Sequence, residues 1–295
     1  MRKITVIGSG TMGSGIAQIF ALNGYKVSLY DLSLNNLDLA IEKIQNSLEK
    51  LEKKQLINNS MANDAISRIK LCNHLENSLK ESELIIEVIV EDFSEKEKLL
   101  KEVNQFCLPD AIIASNTSSI SITKLANKVS KPERFIGMHF MNPVPIMPLV
   151  EIINGMKTSK STTDNIISIT KSINKTPIVV NDYPGFVANR ILMPMINEAI
   201  HTLNEGVGDV EAIDQIMKLG MSHPMGPLEL ADFIGLDVCL YIMNILYKEL
   251  GNTKYAPCPL LVKLVDANHL GVKTQQGFYK YDAKKKEKQA INFKY

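Results

Sequence analysis

Two residues able to move a proton stand in a stretch that reads as buried. His139 and Glu151 belong to MHFMNPVPIMPLVEII, residues 138–153, and lie twelve positions apart, too far for one helical face. Imidazole titrates near neutral pH, with an ordinary pKa of about 6.5, so a histidine sharing apolar surroundings with a carboxylate suits acid–base work. A second set of residues suits a dinucleotide. KITVIGSGTMGSG is a β-branched run followed by Gly8-x-Gly10-x-x-Gly13, and YKVSLYD ends in Asp31, 18 residues after Gly13. Glycine serves the tight turn, the close backbone approach to a pyrophosphate and the packing of helix on strand. A carboxylate at Asp31 holds ribose hydroxyls and repels a 2′-phosphate, which favours NADH over NADPH. The strand, glycines, helix, strand and terminal acid together are far more specific than the glycines alone.

The elements that must position these residues follow from periodicity. After the glycines, Met12, Ile16, Ile19 and Phe20 make an apolar helical stripe ending at Asn23-Gly24. Leu37, Ile41, Ile44, Leu48 and Leu51 mark a long amphipathic helix that ends in Lys50, Lys53 and Lys54. Those lysines read either as cations complementing the helix dipole or as a dock for an anionic substrate tail. ELIIEVIV is a buried strand followed by Glu91-Asp92, with Ser94-x-x-Glu97 as a capping box for the next helix. AIIASNTSSI, RFIGMHF, LVEII and TPIVV are further strands, with a helix around 162–173. Strands alternating with helices imply a doubly wound, mostly parallel α/β sheet. Ligands bind such sheets beyond the carboxyl ends of the strands, and Asp31, Glu91, Ser115 to Ser119 and His139 all fall there. NDYPGFVANR then reads as a linker, which places the domain boundary near Pro184, with domains at 1–183 and 184–295. Beyond it the pattern is helical with little strand, and LADFIGLDVCLYIMNIL reads as one buried helix.

Composition narrows the classes. The chain has 295 residues, 45% hydrophobic and 22% charged, enough for two domains of ordinary globular character. A net charge of +1 gives no global case for nucleic-acid or membrane binding. Cys72, Cys107, Cys239 and Cys258 are widely spaced with no CxxC pair, which argues against a structural metal site and suits a reducing cytoplasm. The N-terminal run is too short for a signal segment, and no apolar run approaches the roughly 18 residues of a membrane span.

The motifs VIGSGTMGSGIAQ, ASNTSSISIT, GMHFMNPVPIMPLVEII, PGFVANRIL, HPMGPLELADFIGLDV and GFYKY together resemble the (S)-3-hydroxyacyl-CoA dehydrogenases, in particular their short-chain bacterial members. The likeness covers nearly the whole chain. It implies a Rossmann-type domain followed by a smaller, all-helical domain used for substrate closure and homodimerisation. It implies NAD-dependent interconversion of a 3-hydroxyacyl-CoA and its 3-keto partner, with His139 as acid/base and Glu151 as its partner. Ser118 and Asn189 match residues that hold the substrate oxygen, and Asn142 lines the same site. Gly8, Gly10, Thr11, Met12, Gly13 and Asp31 match cofactor-binding positions, as do Ser118 and Asn142, while Glu91 and Lys96 match contacts to the nicotinamide half. Lys50 and Lys54 stand where family members present lysines to coenzyme A.

Plainer roles remain for each: a core histidine at 139, a cation partner for Glu151, a cap of the helix near 121 for Ser118, a linker brace for Asn189. The chain departs from the family pattern at Asp92, where asparagine is usual, at Lys54-Gln55-Leu56, where a Gly-Lys pair usually precedes an apolar residue, and at Gln275, where glycine is usual. The run KKKEK, residues 284–288, reads as a solvated extension. Competing readings are a dehydrogenase of free hydroxy acids and a non-catalytic nucleotide sensor.

Overall fold

A computed structural model of the chain describes residues 3–282 and 287–293. In chain order the first compact unit, Met1–Tyr183, contains β1 (Lys3–Ile7), α1 (Thr11–Leu22), β2 (Lys26–Tyr30), α2 (Leu34–Lys53), α3 (Asn59–Ser67), β3 (Ile69–Cys72), α4 (Leu75–Leu79) and β4 (Leu84–Glu87). It continues with α5 (Phe93–Phe106), β5 (Ile112–Ser115), α6 (Ile122–Ala126), β6 (Phe135–Phe140), β7 (Leu149–Asn154), α7 (Lys160–Ser172) and β8 (Thr176–Asn181). The eight strands form one sheet in the order β3-β2-β1-β4-β5-β6-β7-β8. Every neighbouring pair is parallel except β6 with β7, which run antiparallel. Strand order reverses between β1 and β4, so a crevice opens beyond their carboxyl ends.

Local chemistry sets the element boundaries. Ser33, Asp92, Ser121 and Ser159 cap α2, α5, α6 and α7 by accepting a main-chain N–H with their side chains. The capping box anticipated at Ser94 is therefore corrected: Asp92 sits one residue before α5 and accepts the Glu95 amide at 2.9 Å. The apolar stripe of α2 buries Leu37, Ala40, Ile44 and Leu48 beside α1 and α3, while Ile41 and Leu51 of the expected stripe are half-buried. Gln275, where glycine is usual, keeps left-handed backbone at φ 61°, so that turn persists without glycine, and Gln55 in the lysine region is left-handed too, at φ 58°.

The second unit, Pro184–Tyr295, contains α8 (Ala188–Asn204), α9 (Val210–Gly220), α10 (Pro227–Ile234), α11 (Leu236–Leu250), α12 (Pro259–Asp266), β9 (Tyr279–Asp282) and β10 (Glu287–Ala290). It is a helical domain with its own apolar core, built from residues such as Ile196, Ile200, Leu228, Leu236, Met243 and Leu261. Two details differ from expectation. The stretch read as one buried helix is two, α10 and α11, bent by 97° at Gly235, whose φ of 105° most side chains resist. The domain is also not purely helical, because β9 and β10 pair as an antiparallel hairpin. Of the lysine run, residues 284–286 lie outside the described residues, while Glu287 and Lys288 belong to β10. Lys288 pairs with Glu229 at 2.5 Å and stacks over the Tyr279 ring. Among the described residues no single helix is long and apolar enough to cross a membrane.

Candidate active site

The antiparallel pairing of β6 and β7 answers how residues twelve positions apart meet. His139 and Glu151 are direct register partners across the ladder. Side chains opposite each other in such a pair share one face, so both project to the same side. Imidazole Nδ1 lies 2.8 Å from Glu151 Oε2, with both residues buried. A carboxylate only accepts, so Nδ1 carries the proton and donates it, leaving Nε2 as the nitrogen for exchange. Because β7 starts where β6 ends, the pair sits at the carboxyl edge of the parallel strands, near the 141–148 loop that carries Asn142. Asn142 is exposed on that loop.

Next along the sheet edge, the turn after β5 wraps around Glu91. Its Oε1 accepts the Ser118 and Ser119 amides at 2.9 and 3.1 Å and the Thr117 and Ser119 hydroxyls at 2.6 and 2.8 Å. Ser118 Oγ lies 3.3 Å from the same oxygen. Burial pushes the Glu91 carboxyl up, but Lys96 and these donors outweigh it and hold the group below its usual range. Ser118 does not cap α6; Ser121 does, helped by Asp182, which accepts the Ile122 and Thr123 amides at 3.1 and 2.8 Å.

Lys96 lies beneath this turn at 1% exposure, its Nζ 2.6 Å from Glu87 and 3.4 Å from Glu91. Lys96, expected at the nicotinamide half, thus bridges Glu87 and Glu91 in a buried ion pair. Glu87 was not singled out from sequence. It is fully buried at the end of β4 and also accepts the Ser115 hydroxyl at 2.6 Å and the Ile89 amide at 2.8 Å. Its signal was available: a carboxylate inside an otherwise apolar strand requires a partner, and a lysine follows nine residues later.

The nucleotide elements sit at the switch between β1 and β4. Gly8 has φ 105°, and a Cβ there would lie 2.6 Å from the Val88 carbonyl; one at Gly13 would lie 1.8 Å from the Gly8 carbonyl. A Cβ on Gly10 would meet nothing within 4 Å, so the chain is open on that side. Gly10 begins α1 without a side-chain cap, and no acid occupies the first turn, so the amides at Thr11 and Met12 are at the mouth of the crevice. Asp31 is oriented by the Ser9 amide and hydroxyl at 3.0 and 2.8 Å and by the Ser33 amide and Asn36 side chain, both at 3.1 Å. Partial burial raises its carboxyl, but these four donors together bring it below the ordinary value, so it is charged at neutral pH. It lines a cleft of about 240 Å³ with Gly8, Tyr30, Leu32, Ile89 and Lys98. Helix N-terminal amides that donate, open space at a glycine and a carboxylate that accepts are what an NAD molecule requires of such a turn.

Lys50 and Lys54 are exposed at the end of α2. Asn189 belongs to the second unit, buried in the first turn of α8.

Comparison with known proteins follows the same division. Residues 3–183 match the NAD-binding domain of 3-hydroxyacyl-CoA dehydrogenase, and residues 185–281 match the C-terminal domain of the same enzyme. The chain belongs to the 3-hydroxyacyl-CoA dehydrogenase family. It is therefore an oxidoreductase with an NAD-binding domain. A relative from Bradyrhizobium diazoefficiens named 3-hydroxybutyryl-CoA dehydrogenase is 50% identical over 95% of this chain and 96% of its own. One of the same name from Clostridioides difficile is 49% identical over 95% and 99%. The crystal structure of (S)-3-hydroxybutyryl-CoA dehydrogenase from Ralstonia eutropha superposes with a TM-score of 0.92 at 45% identity, covering 96% of this chain and 99% of that one. Membership in the family fits the two-unit architecture and the glycine-rich first turn.

Proposed function

We propose that this family member interconverts acetoacetyl-CoA and (S)-3-hydroxybutyryl-CoA with NAD(H), in short-chain, butyrate- or butanol-type fatty acid metabolism. The observation that carries the reading is the His139–Glu151 pair at the carboxyl edge of the sheet, 2.8 Å apart. In the reducing direction His139 gives the proton on Nε2 to the substrate's 3-oxygen; in the oxidising direction it takes it back. Glu151 fixes the tautomer through Nδ1 and stabilises the imidazolium, an interaction strengthened where water is excluded. Bound nicotinamide supplies or accepts the hydride. Ser118, its amide anchored by Glu91, orients the substrate oxygen, and we assign Asn189 the same oxygen. The Gly10 turn and the first amides of α1 hold the pyrophosphate, and Asp31 holds the ribose hydroxyls, which favours NADH over NADPH. Lys50 and Lys54 take the phosphates of coenzyme A.

Two broader assignments accompany this. The second unit exposes Ile191, Phe233 and Leu219, apolar area of the kind that a homodimer buries. Cys72, Cys107, Cys239 and Cys258 are free thiols, consistent with a reducing cytoplasm.

The test is NADH consumption on adding acetoacetyl-CoA, with free acetoacetate and NADPH in parallel. Rapid turnover of the thioester with NADH is expected. Turnover of the free acid alone would move the chain to the hydroxy-acid dehydrogenases. NADH binding without turnover of either would favour a sensor.

A further inference from the structure

A buried cation lies behind the loop that joins the two strands of the His139–Glu151 pair. Lys175 is 7% exposed, yet among the described residues no carboxylate pairs with it. Its Nζ donates instead to two main-chain carbonyls of that loop, Val144 at 2.6 Å and Met147 at 2.7 Å. The next residue adds a third tie, the Thr176 amide to the Pro148 carbonyl at 2.8 Å. On its other side the loop presses on α1: a Cβ on Gly15 would lie 2.9 Å from the Val144 side chain. Within the loop, the Ile146 and Met147 amides both turn back to the Pro143 carbonyl at 3.0 Å.

A buried ammonium loses hydration, and burial drives the Lys175 pKa down. An apolar side chain of similar length would fill the space without that penalty. The charge is explained by what it holds, two carbonyls three residues apart whose spacing fixes the curve of the loop.

We infer that Lys175 is a positioning residue for the proposed reaction, clamping the 141–148 loop so that Asn142 is presented to the nicotinamide and substrate. This rests on the reading of Asn142 given above. His139 and Glu151 are held by the strand ladder itself, so the clamp acts on ligand binding and leaves the acid–base pair in place.

The experiment compares wild type with Lys175→Met and Lys175→Arg. Hydrogen exchange is followed in the peptide spanning residues 141–148 and in one from β6, alongside the NADH dissociation constant and steady-state kinetics. K175M is expected to speed exchange in the loop by about tenfold or more with β6 unchanged, and to raise the dissociation constant and KM for NADH by roughly tenfold, since small displacements of positioning groups have effects of that order or larger. The shape of the pH–rate profile is expected to stay that of wild type. K175R, which keeps the charge and two donors, is expected to fall between the two. Unchanged loop exchange, exchange accelerated equally across the unit, or NADH binding within twofold of wild type would each overturn the inference. Should K175M not fold, K175R is read by the same criteria. Failure of the wild type to reduce acetoacetyl-CoA would count against the functional reading, while loop exchange and NADH binding would still decide the role of Lys175.

Discussion

At the scale of single residues, each side chain at the sheet edge is held by a partner that fixes what it can do. Nδ1 of His139 is committed to Glu151, and Oε1 of Glu91 is committed to the Thr117–Ser119 turn. Replacing His139 by glutamine keeps a polar group of similar size but removes the exchangeable proton. We expect kcat to fall by about 10²–10⁴-fold with NADH binding little changed, measured by steady-state kinetics and fluorescence titration. Full turnover in H139Q would sink the proposed proton path. Much of this level was legible in the sequence, because imidazole, carboxylate and serine-rich turn carry their chemistry in their names. What was not legible is which carboxylate each cation chooses. Lys96 follows Glu87, Glu91 and Asp92 closely, and only the fold shows it buried between the first two while Asp92 turns away to cap α5.

At the scale of elements, the glycine-rich turn makes a prediction in which two neighbouring glycines behave oppositely. A Cβ on Gly13 would collide with the Gly8 carbonyl at 1.8 Å, whereas one on Gly10 would point into open space from ordinary backbone, φ −62°. G13A is expected to lose several kcal/mol of stability, since backbone cannot give way by the needed ångström. G10A is expected to keep its melting temperature within a few degrees while losing NADH affinity by about tenfold or more, because the added methyl occupies the space where a pyrophosphate approaches. Thermal melts and NADH titration of the two variants check this, and equal behaviour would count against it. Most helices and strands of the first unit were readable, because helices repeat apolar residues near every 3.6 positions and doubly covered strands are continuous apolar runs, whereas the short α3, β3 and α4 were not read. The direction of β7 was not: no spacing rule distinguishes an antiparallel return from a parallel crossover when the connecting loop is rich in proline. The bend at Gly235 was hidden for a related reason, since one glycine within an apolar run reads equally as tolerated or as a break.

For the molecule as a whole, each unit carries a buried carboxylate network. That of the second unit has a pH signature. Asp232, fully buried, accepts the Phe278 and Tyr279 amides, each at 2.9 Å, and the Tyr281 hydroxyl at 3.0 Å. Burial pushes its carboxyl up to about 6, opposed by those donors and aided by nearby Asp214. The folded unit thus binds a proton near pH 6 that the unfolded chain, with an ordinary aspartate near 4, does not. Between those values this group makes folding more favourable as pH falls, by up to about 3 kcal/mol, and the gain fades as pH rises through 6. Asp232→Asn cannot titrate. Urea unfolding at pH 7 and pH 5 should therefore show wild type gaining roughly 1–2 kcal/mol relative to D232N on acidification. Parallel pH dependence in the two proteins would refute this. No sequence pattern announced Asp232, because its partners come from Phe278 and the adjoining β9, 46 and more residues away.

The pairing of His139 with Glu151 by strand register has a consequence for how such proteins are recognised. Loop length between the two strands does not set the distance between the residues; the ladder does. Insertions in the loop would leave the dyad intact, while a slip of one residue in either strand would send the two side chains to opposite faces. A sequence search for this chemistry should therefore score histidine and glutamate as a cross-strand pair with a variable gap, anchored on the apolar residues flanking each, instead of demanding a fixed interval of twelve.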